Sequence, residues 1–268
     1  MRVWAWFLMI LGLAGGVRAQ TPDAEVDLAS GMIGKALFLR CFCAEDTLSF
    51  DEQGRVQGPI KVVDWTLAGV NVLKVERKGA DIELDGVRVA VRFATDRHEF
   101  DRHPQNDEKV RVTIADKGDV RVFERALRAV FATGIDRELQ LSMPEVWRHY
   151  FDPGLAWPQD ELTGQVIENI PVATATASVA VTTHKADAEY TVMARQDRVA
   201  GDVRLRFVVD SEGVPRRIVV AQPLGYGLDL AAAQALAKYR FTPAMVKGKA
   251  VASNVTVDQG FAVVAPPQ

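Results

Sequence analysis

The densest run of chemistry-bearing side chains is Asp96-Arg97-His98-Glu99-Phe100-Asp101-Arg102-His103. Imidazoles among carboxylates are the donor set of a transition-metal site, provided that they converge on one point. His98 and His103 are five residues apart, which puts them on a common face of neither a helix nor a strand. The run therefore reads as a solvated loop. Cys41 and Cys43 carry the thiol chemistry. In an extended Leu37–Cys43, residues 37, 39, 41 and 43 would share one apolar face. Three readings stay open, in this order: two buried thiols, a strained or intermolecular disulfide, and a metal pair lacking further ligands. Asp46, Asp51 and Glu52 could work as an acid/base pair, but Asp51-Glu52-Gln53-Gly54 is first a turn sequence. Trp147 and Trp157 could flank a ligand, although covering a small domain is the commoner use of such residues. His149 reads as a helix-end or packing residue, and His184 as part of a connector. Gly248-Lys249 lacks the other glycine and the Ser/Thr of a phosphate loop. Neither a Gly-x-Ser-x-Gly elbow nor a His-Glu-x-x-His pair occurs. The reading is a non-enzymatic protein with no metal site and no cofactor.

The elements that position these residues begin after an export signal. Met1-Arg2 and the apolar run Val3–Leu13 precede Val17-Arg18-Ala19, which predicts cleavage before Gln20. The rival reading is a retained inner-membrane anchor, for which the run falls short of the roughly 20 residues of a spanning helix. Hydrophobic residues at 48 % and charged residues at 25 % describe a globular chain rather than a disordered one. Acids outnumber bases, 35 to 32, which argues against a nucleic-acid partner. The imbalance is uneven: residues 184–268 hold 11 Lys+Arg against 8 Asp+Glu, while the front is acidic.

The patterning predicts an α+β chain: a front domain over 20–152, a linker over 153–183 and a small domain over 184–268. The front opens with a helix over Ala24–Lys35. An antiparallel β-meander follows, with hairpin turns at Asp51–Gly54, at Lys78-Gly79 and at Asp85-Gly86. Val122, Leu127, Val130 and Phe131 then fit one face of a helix ended by Gly134, and Pro144–Phe151 a second helix. The linker carries Pro153, Pro158 and Pro171 and a β-prone stretch, Val172–Val181, able to pair with another strand. In the tail Val203, Leu205, Phe207 and Val209 alternate, Ser211-Glu212-Gly213 turns, and Arg216–Gln222 returns. Leu228, Ala232, Ala235 and Tyr239 recur at helical spacing. Val251–Val263 is a last strand, with Val251, Val255, Val257 and Phe261 inward and Asn254, Thr256 and Asp258 outward. The order is β-β-α-β, a three-stranded antiparallel sheet with a helix on its apolar face.

Four segments in register resemble the TonB C-terminal domain family, over about residues 184–264. Tyr190 with Arg195 is similar to the family's opening segment, and Gly201-Asp202-Val203 with Val208–Gly213 to its first hairpin. Gly227-Leu228-Asp229 is similar to its helix start. Tyr239-Arg240-Phe241-Thr242-Pro243-Ala244 and Gly248–Val251 are similar to its aromatic-Arg-Phe-x-Pro-Ala segment and closing strand. Thr191 stands where the family usually has Pro, and Tyr239 where Trp is usual. The resemblance implies a periplasmic protein that docks on an outer-membrane TonB-dependent receptor, in support of energised transport. The sheet's edge strand would add the receptor's plug-segment peptide as a further strand. The implied edge residues are Val251, Ser253, Asn254, Val255, Thr256, Val257, Asp258 and Phe261. The competing use of that edge, blunted by Asn254 and Asp258, is homodimerisation within a periplasmic scaffold or ligand-binding protein. Engagement of an inner-membrane proton-channel complex is not implied. Residues 3–17 hold neither Ser nor His, and a folded acidic domain replaces the family's Pro-rich spacer.

Overall fold

The computed structural model describes residues 23–263; the expected export signal lies outside the described residues. Among those described, no helix is long and apolar enough to cross a membrane.

α1 (Ala24–Ser30) starts at Asp23, whose carboxylate accepts from the Val26 amide. It stops five residues short of the expected Lys35, at Gly31 and a following Gly34 with φ +77°. β1 (Leu37–Leu39) also ends early. The chain turns at Arg40–Cys41 with Phe42 at φ +49°, so Cys41 and Cys43 do not continue a strand face. They are bonded to each other across a Cα–Cα separation of 5.1 Å, which corrects the preference for buried thiols. β2 (Thr47–Phe50) and β3 (Val56–Gln57) form the expected hairpin. The Asp51 carboxylate nucleates its turn by accepting the Gln53 and Arg55 amides, both at 2.9 Å.

β4 (Gly69–Lys78), β5 (Asp81–Ala94) and β6 (Glu99–Ala115) are the long meander. Asp85-Gly86 is not one of its turns. β5 runs straight through, and the glycine serves close approach instead, since a Cβ there would lie 2.3 Å from the Asn71 carbonyl oxygen. The loop reading of Asp96–His103 holds for its first half only. Asp96–His98 make the β5–β6 turn, while Glu99–His103 open β6. α2 (Val120–Val130) buries Phe123, Ala126, Leu127 and Val130, and Phe131 begins β7 (Phe131–Thr133) rather than finishing the helix. There it pairs with Leu39, so sheet hydrogen bonding overrides the helical period. α3 (Arg137–Ser142), not foreseen, and α4 (Glu145–Phe151) follow. The seven-stranded sheet has the order β3-β2-β6-β5-β4-β1-β7, and β2 runs parallel to β6, a departure from a purely antiparallel meander.

The 153–183 stretch is pinned at several points. Trp157 stacks on His149 at 3.5 Å, Asp160 takes both donors of Arg217 (2.7 and 2.8 Å), and Leu162 packs on Val208 and Ala252. The β-prone part forms β8 (Ala177–Ser178) and β9 (Val181–His184). The tail then builds α5 (Val192–Gln196), β10 (Gly201–Val209), β11 (Pro215–Gln222), α6 (Leu228–Leu236), β12 (Arg240–Thr242), β13 (Ala244–Val246), β14 (Lys249–Val251) and β15 (Ser253–Phe261). Its main sheet is β11-β10-β15, with small sheets β12-β9 and β14-β13-β8 beside it. Val251 belongs to β14, opposite Ala244, so the last strand begins at Ser253 and not at Val251.

The two halves share one core. Phe38, Trp65, Trp147 and Val91 of the front are in a single buried cluster with Leu205, Phe207, Leu224, Tyr226 and Leu236 of the tail. The seam is backbone-bonded: the Tyr226 amide donates to Val91 (2.8 Å), and the Phe93 amide to Leu224 (3.1 Å). Between them Gly225, at φ +94°, bridges to Arg92.

Candidate functional site

β15 pairs with β10 over its full nine residues, Ser253 opposite Val209 through Phe261 opposite Gly201. Its side chains alternate as its sequence dictates. Ser253 and Phe261 are buried and Val255, Val257 and Gln259 half-buried, while Asn254, Thr256, Asp258 and Gly260 face solvent. Backbone groups alternate too. The Asn254 amide donates outward to Glu168 (3.0 Å), so Thr256, Asp258 and Gly260, on the same phase, also turn both backbone groups away from β10. Among the described residues, only Glu168 bridges onto this outer side, opposite Ser253. From Val255 to Phe261 the edge is open over roughly 20 Å of strand.

Asp258 does not leave this edge negatively charged. It is directly opposite Arg204, which donates to both its oxygens (2.7 and 2.9 Å) and holds the carboxyl below its ordinary range. At the end of the strand, Tyr190, Arg195, Ala262 and Val263 line a cleft of about 310 Å³. The Arg195 guanidinium lies 5.9 Å from the centre of the Tyr190 ring, which meets Phe261 edge-on at 5.8 Å. The strand end thus offers a cation, an aromatic face and an apolar wall together.

The other family-like residues are supports. Gly213, at φ +81°, lies so close to β12 that a Cβ would fall 1.9 Å from the Phe241 carbonyl oxygen, and the Phe241 amide donates back to Gly213 (2.9 Å). Gly201 packs on Leu224, and Pro243 separates β12 from β13. α6 ends at Leu236, short of the expected Tyr239, which follows a turn; the Tyr239 hydroxyl donates to Gln259 Oε1 (3.1 Å) and ties that turn to the edge strand. Thr191 caps α5 by accepting from the Ala194 amide, and its hydroxyl donates to the Tyr226 carbonyl at 2.6 Å. A side chain there does work that the proline usual in the family cannot do.

Gly227 and Leu228 start α6 at the seam. The Gly227 amide donates to Thr66 Oγ1 at 2.8 Å, and Asp229 accepts the amides of Leu224 and Gly225, both at 2.7 Å. Asp64 faces them from the front half, accepting from Thr66 and from the Trp147 indole (2.6 Å). Burial raises the Asp64 carboxyl, and burial with the Asp64 charge nearby pushes Asp229 up to about 8. Asp197 is a third tie, accepting from Gln105 Nε2 (2.8 Å) and the Tyr226 hydroxyl (2.6 Å).

The sequence-level alternatives separate in space. Trp147 is fully buried and Trp157 lies on His149, so the two do not form a ligand platform. His149 is the packing residue expected, its imidazole pKa lowered by burial. His98 lies in the turn, whereas His103 faces Tyr226 at 5.8 Å. Glu76, Glu83 and Asp85 converge, but Lys74 and Lys78 neutralise the first (both 2.7 Å), and Arg111 the other two (3.4 and 2.7 Å). Glu168, Arg204, Asp64 and Tyr226 were not singled out from the sequence. Only Tyr226, an aromatic between two glycines, carried a local signal.

Residues 186–262 match the family described as the Gram-negative bacterial TonB protein C-terminal. Among solved structures, the chain is similar to the solution NMR structure of the Pseudomonas aeruginosa TonB CTD. Identity is 27 %, coverage 34 % of this chain and 92 % of that one, and the TM-score 0.28. No curated protein matches the chain.

Proposed function

We propose, from the premise that residues 186–262 form a TonB C-terminal domain, that this protein docks on outer-membrane TonB-dependent receptors in the periplasm by strand addition. The observation that carries the reading is the open outer side of β15. Thr256 and Asp258 present unused backbone donors and acceptors, and Gly260 an unused amide beside a carbonyl that accepts only from Gln259 Nε2 (3.3 Å), on a regular, charge-balanced strand that ends beside the Tyr190–Arg195 cleft. A receptor plug segment in extended form would take those bonds. Its side chains would alternate between solvent and the Val255–Val257 side of the sheet. In this reading the interaction supports energised transport across the outer membrane.

Titration of the exported protein with synthetic plug-segment peptides tests it. Amide shifts at Thr256, Asp258 and Gly260 that saturate with peptide are the expected result. An unperturbed β15 at millimolar peptide overturns the reading. A scaffold without energy coupling has its own support, because the front half is fused to the docking half by a shared core where a long spacer would otherwise stand. In that case sedimentation should show self-association that Thr256→Pro abolishes, with no response to peptide.

A further inference from the structure

The first positions of the open edge are already taken by the chain itself. The Glu168 amide donates to the Ala252 carbonyl (2.8 Å), and the Asn254 amide donates to the Glu168 carbonyl (3.0 Å), a parallel bridge opposite Ser253. This contact is built rather than incidental. Ile167 packs on the small cluster of Leu162, Val208 and Ala252, and upstream Asp160 holds Arg217 through two hydrogen bonds. The segment also ends abruptly. The pairing is a single bridge at Glu168, and the chain bends at Pro171-Val172, before a second bonding residue beyond Ile170 could follow.

We propose that residues 166–170 are a built-in stop, a strand surrogate that blocks the edge up to Asn254 and confines any docked receptor strand to Thr256–Phe261. The inference rests on the strand-addition reading above. The consequence is specificity by register. An incoming strand cannot slide toward Ser253, so the frames displaced in that direction, which would bring other side chains to the Tyr190–Arg195 cleft, are excluded. A two-residue slip toward Ser253, which keeps every side chain on its own face, is an error that alternation alone cannot prevent and the stop does.

The test compares wild type, Glu168→Pro and Ile167→Asp, each titrated with one plug-segment peptide of about ten residues. Glu168→Pro removes the donor to Ala252, and Ile167→Asp removes the anchor without touching the backbone. In wild type the peptide should shift Thr256, Asp258 and Gly260 but leave Asn254 unmoved. In either variant the footprint should spread to Asn254, with binding about threefold to tenfold tighter from the added hydrogen bonds. Binding with the same footprint and affinity in all three proteins overturns the stop and leaves docking intact. Absence of binding in all three overturns docking, and the stop with it. Should one variant fail to fold, the other gives the same readout.

Discussion

At the seam, Leu224–Tyr226 lies against Val91–Phe93 with its hydrogen bonds made and its side chains buried beside Trp65 and Trp147. Along β15, Thr256, Asp258 and Gly260 hold the same kinds of backbone group out to solvent. Both are places where strand-like backbone accepts a neighbour. The seam uses irregular backbone, a glycine at φ +94° and a carboxylate that collects stray amides, and it fits one partner. The edge uses plain alternation, a balanced ion pair and a stop, and it fits any extended segment of suitable frame. Permanent contact is bought with special residues, whereas exchangeable contact needs few of them. The front sheet supports the contrast. Its outermost strands, β3 and β7, are two and three residues long, too short to template a partner.

The strongest way to break the comparison is at Gly225. A Cβ there would lie 2.2 Å from the Val91 carbonyl oxygen, in backbone that L side chains avoid. Gly225→Val should destabilise the protein by more than about 3 kcal/mol in chemical denaturation and abolish the near-UV signal of the buried aromatics. A seam that tolerates valine would not be the fixed contact described.

Next is the pH response of Asp229. Its folded-state carboxyl, at about 8, is above the ordinary 3.8 of the unfolded chain, so folding takes up a proton. Its contribution is complete below about pH 3.8 and is lost as pH climbs through about 8. Unfolding free energy should therefore fall with rising pH in that window, with this group adding a slope of up to about 1.4 kcal/mol per pH unit. Asp229→Asn should be weaker at pH 6 but flatter from pH 6 to 9, and an unchanged slope would remove Asp229 as the source.

At the edge the expected effects are on binding. Thr256→Pro deletes an outward amide that β10 does not use. Peptide affinity should drop at least about tenfold, while stability changes by no more than about 1 kcal/mol. The smallest effect belongs to Arg204→Ala. The pair with Asp258 is exposed and screened, so denaturation midpoints should barely move. Peptide binding should become slightly more sensitive to salt, as the bare Asp258 charge is uncovered.

Much of the tail was legible because its strands are half-buried and alternate cleanly, as Val203, Leu205, Phe207 and Val209 do. Asp51–Gly54 was legible because its turn is local, closed by one carboxylate. Asp85-Gly86 misled because the glycine answers to Asn71, distant in sequence, and not to its own neighbours. Phe131 misled because its strand partner, Leu39, is equally remote. The seam left little trace, since an apolar residue such as Trp147 looks the same whether it covers its own sheet or another domain. The stop at Glu168 left none: it is made by a peptide group, which every residue has.

The shared core also governs how the chain can be divided. Leu224, Tyr226 and Leu228 are buried in one cluster with Phe38, Trp65 and Trp147, so a cut near residue 184 would bare apolar surface on both fragments. Calorimetry of the intact protein should record one endotherm rather than two, because neither half keeps a complete interior without the other. On that outcome, the boundary drawn by family resemblance and the boundary of cooperative melting would be different lines.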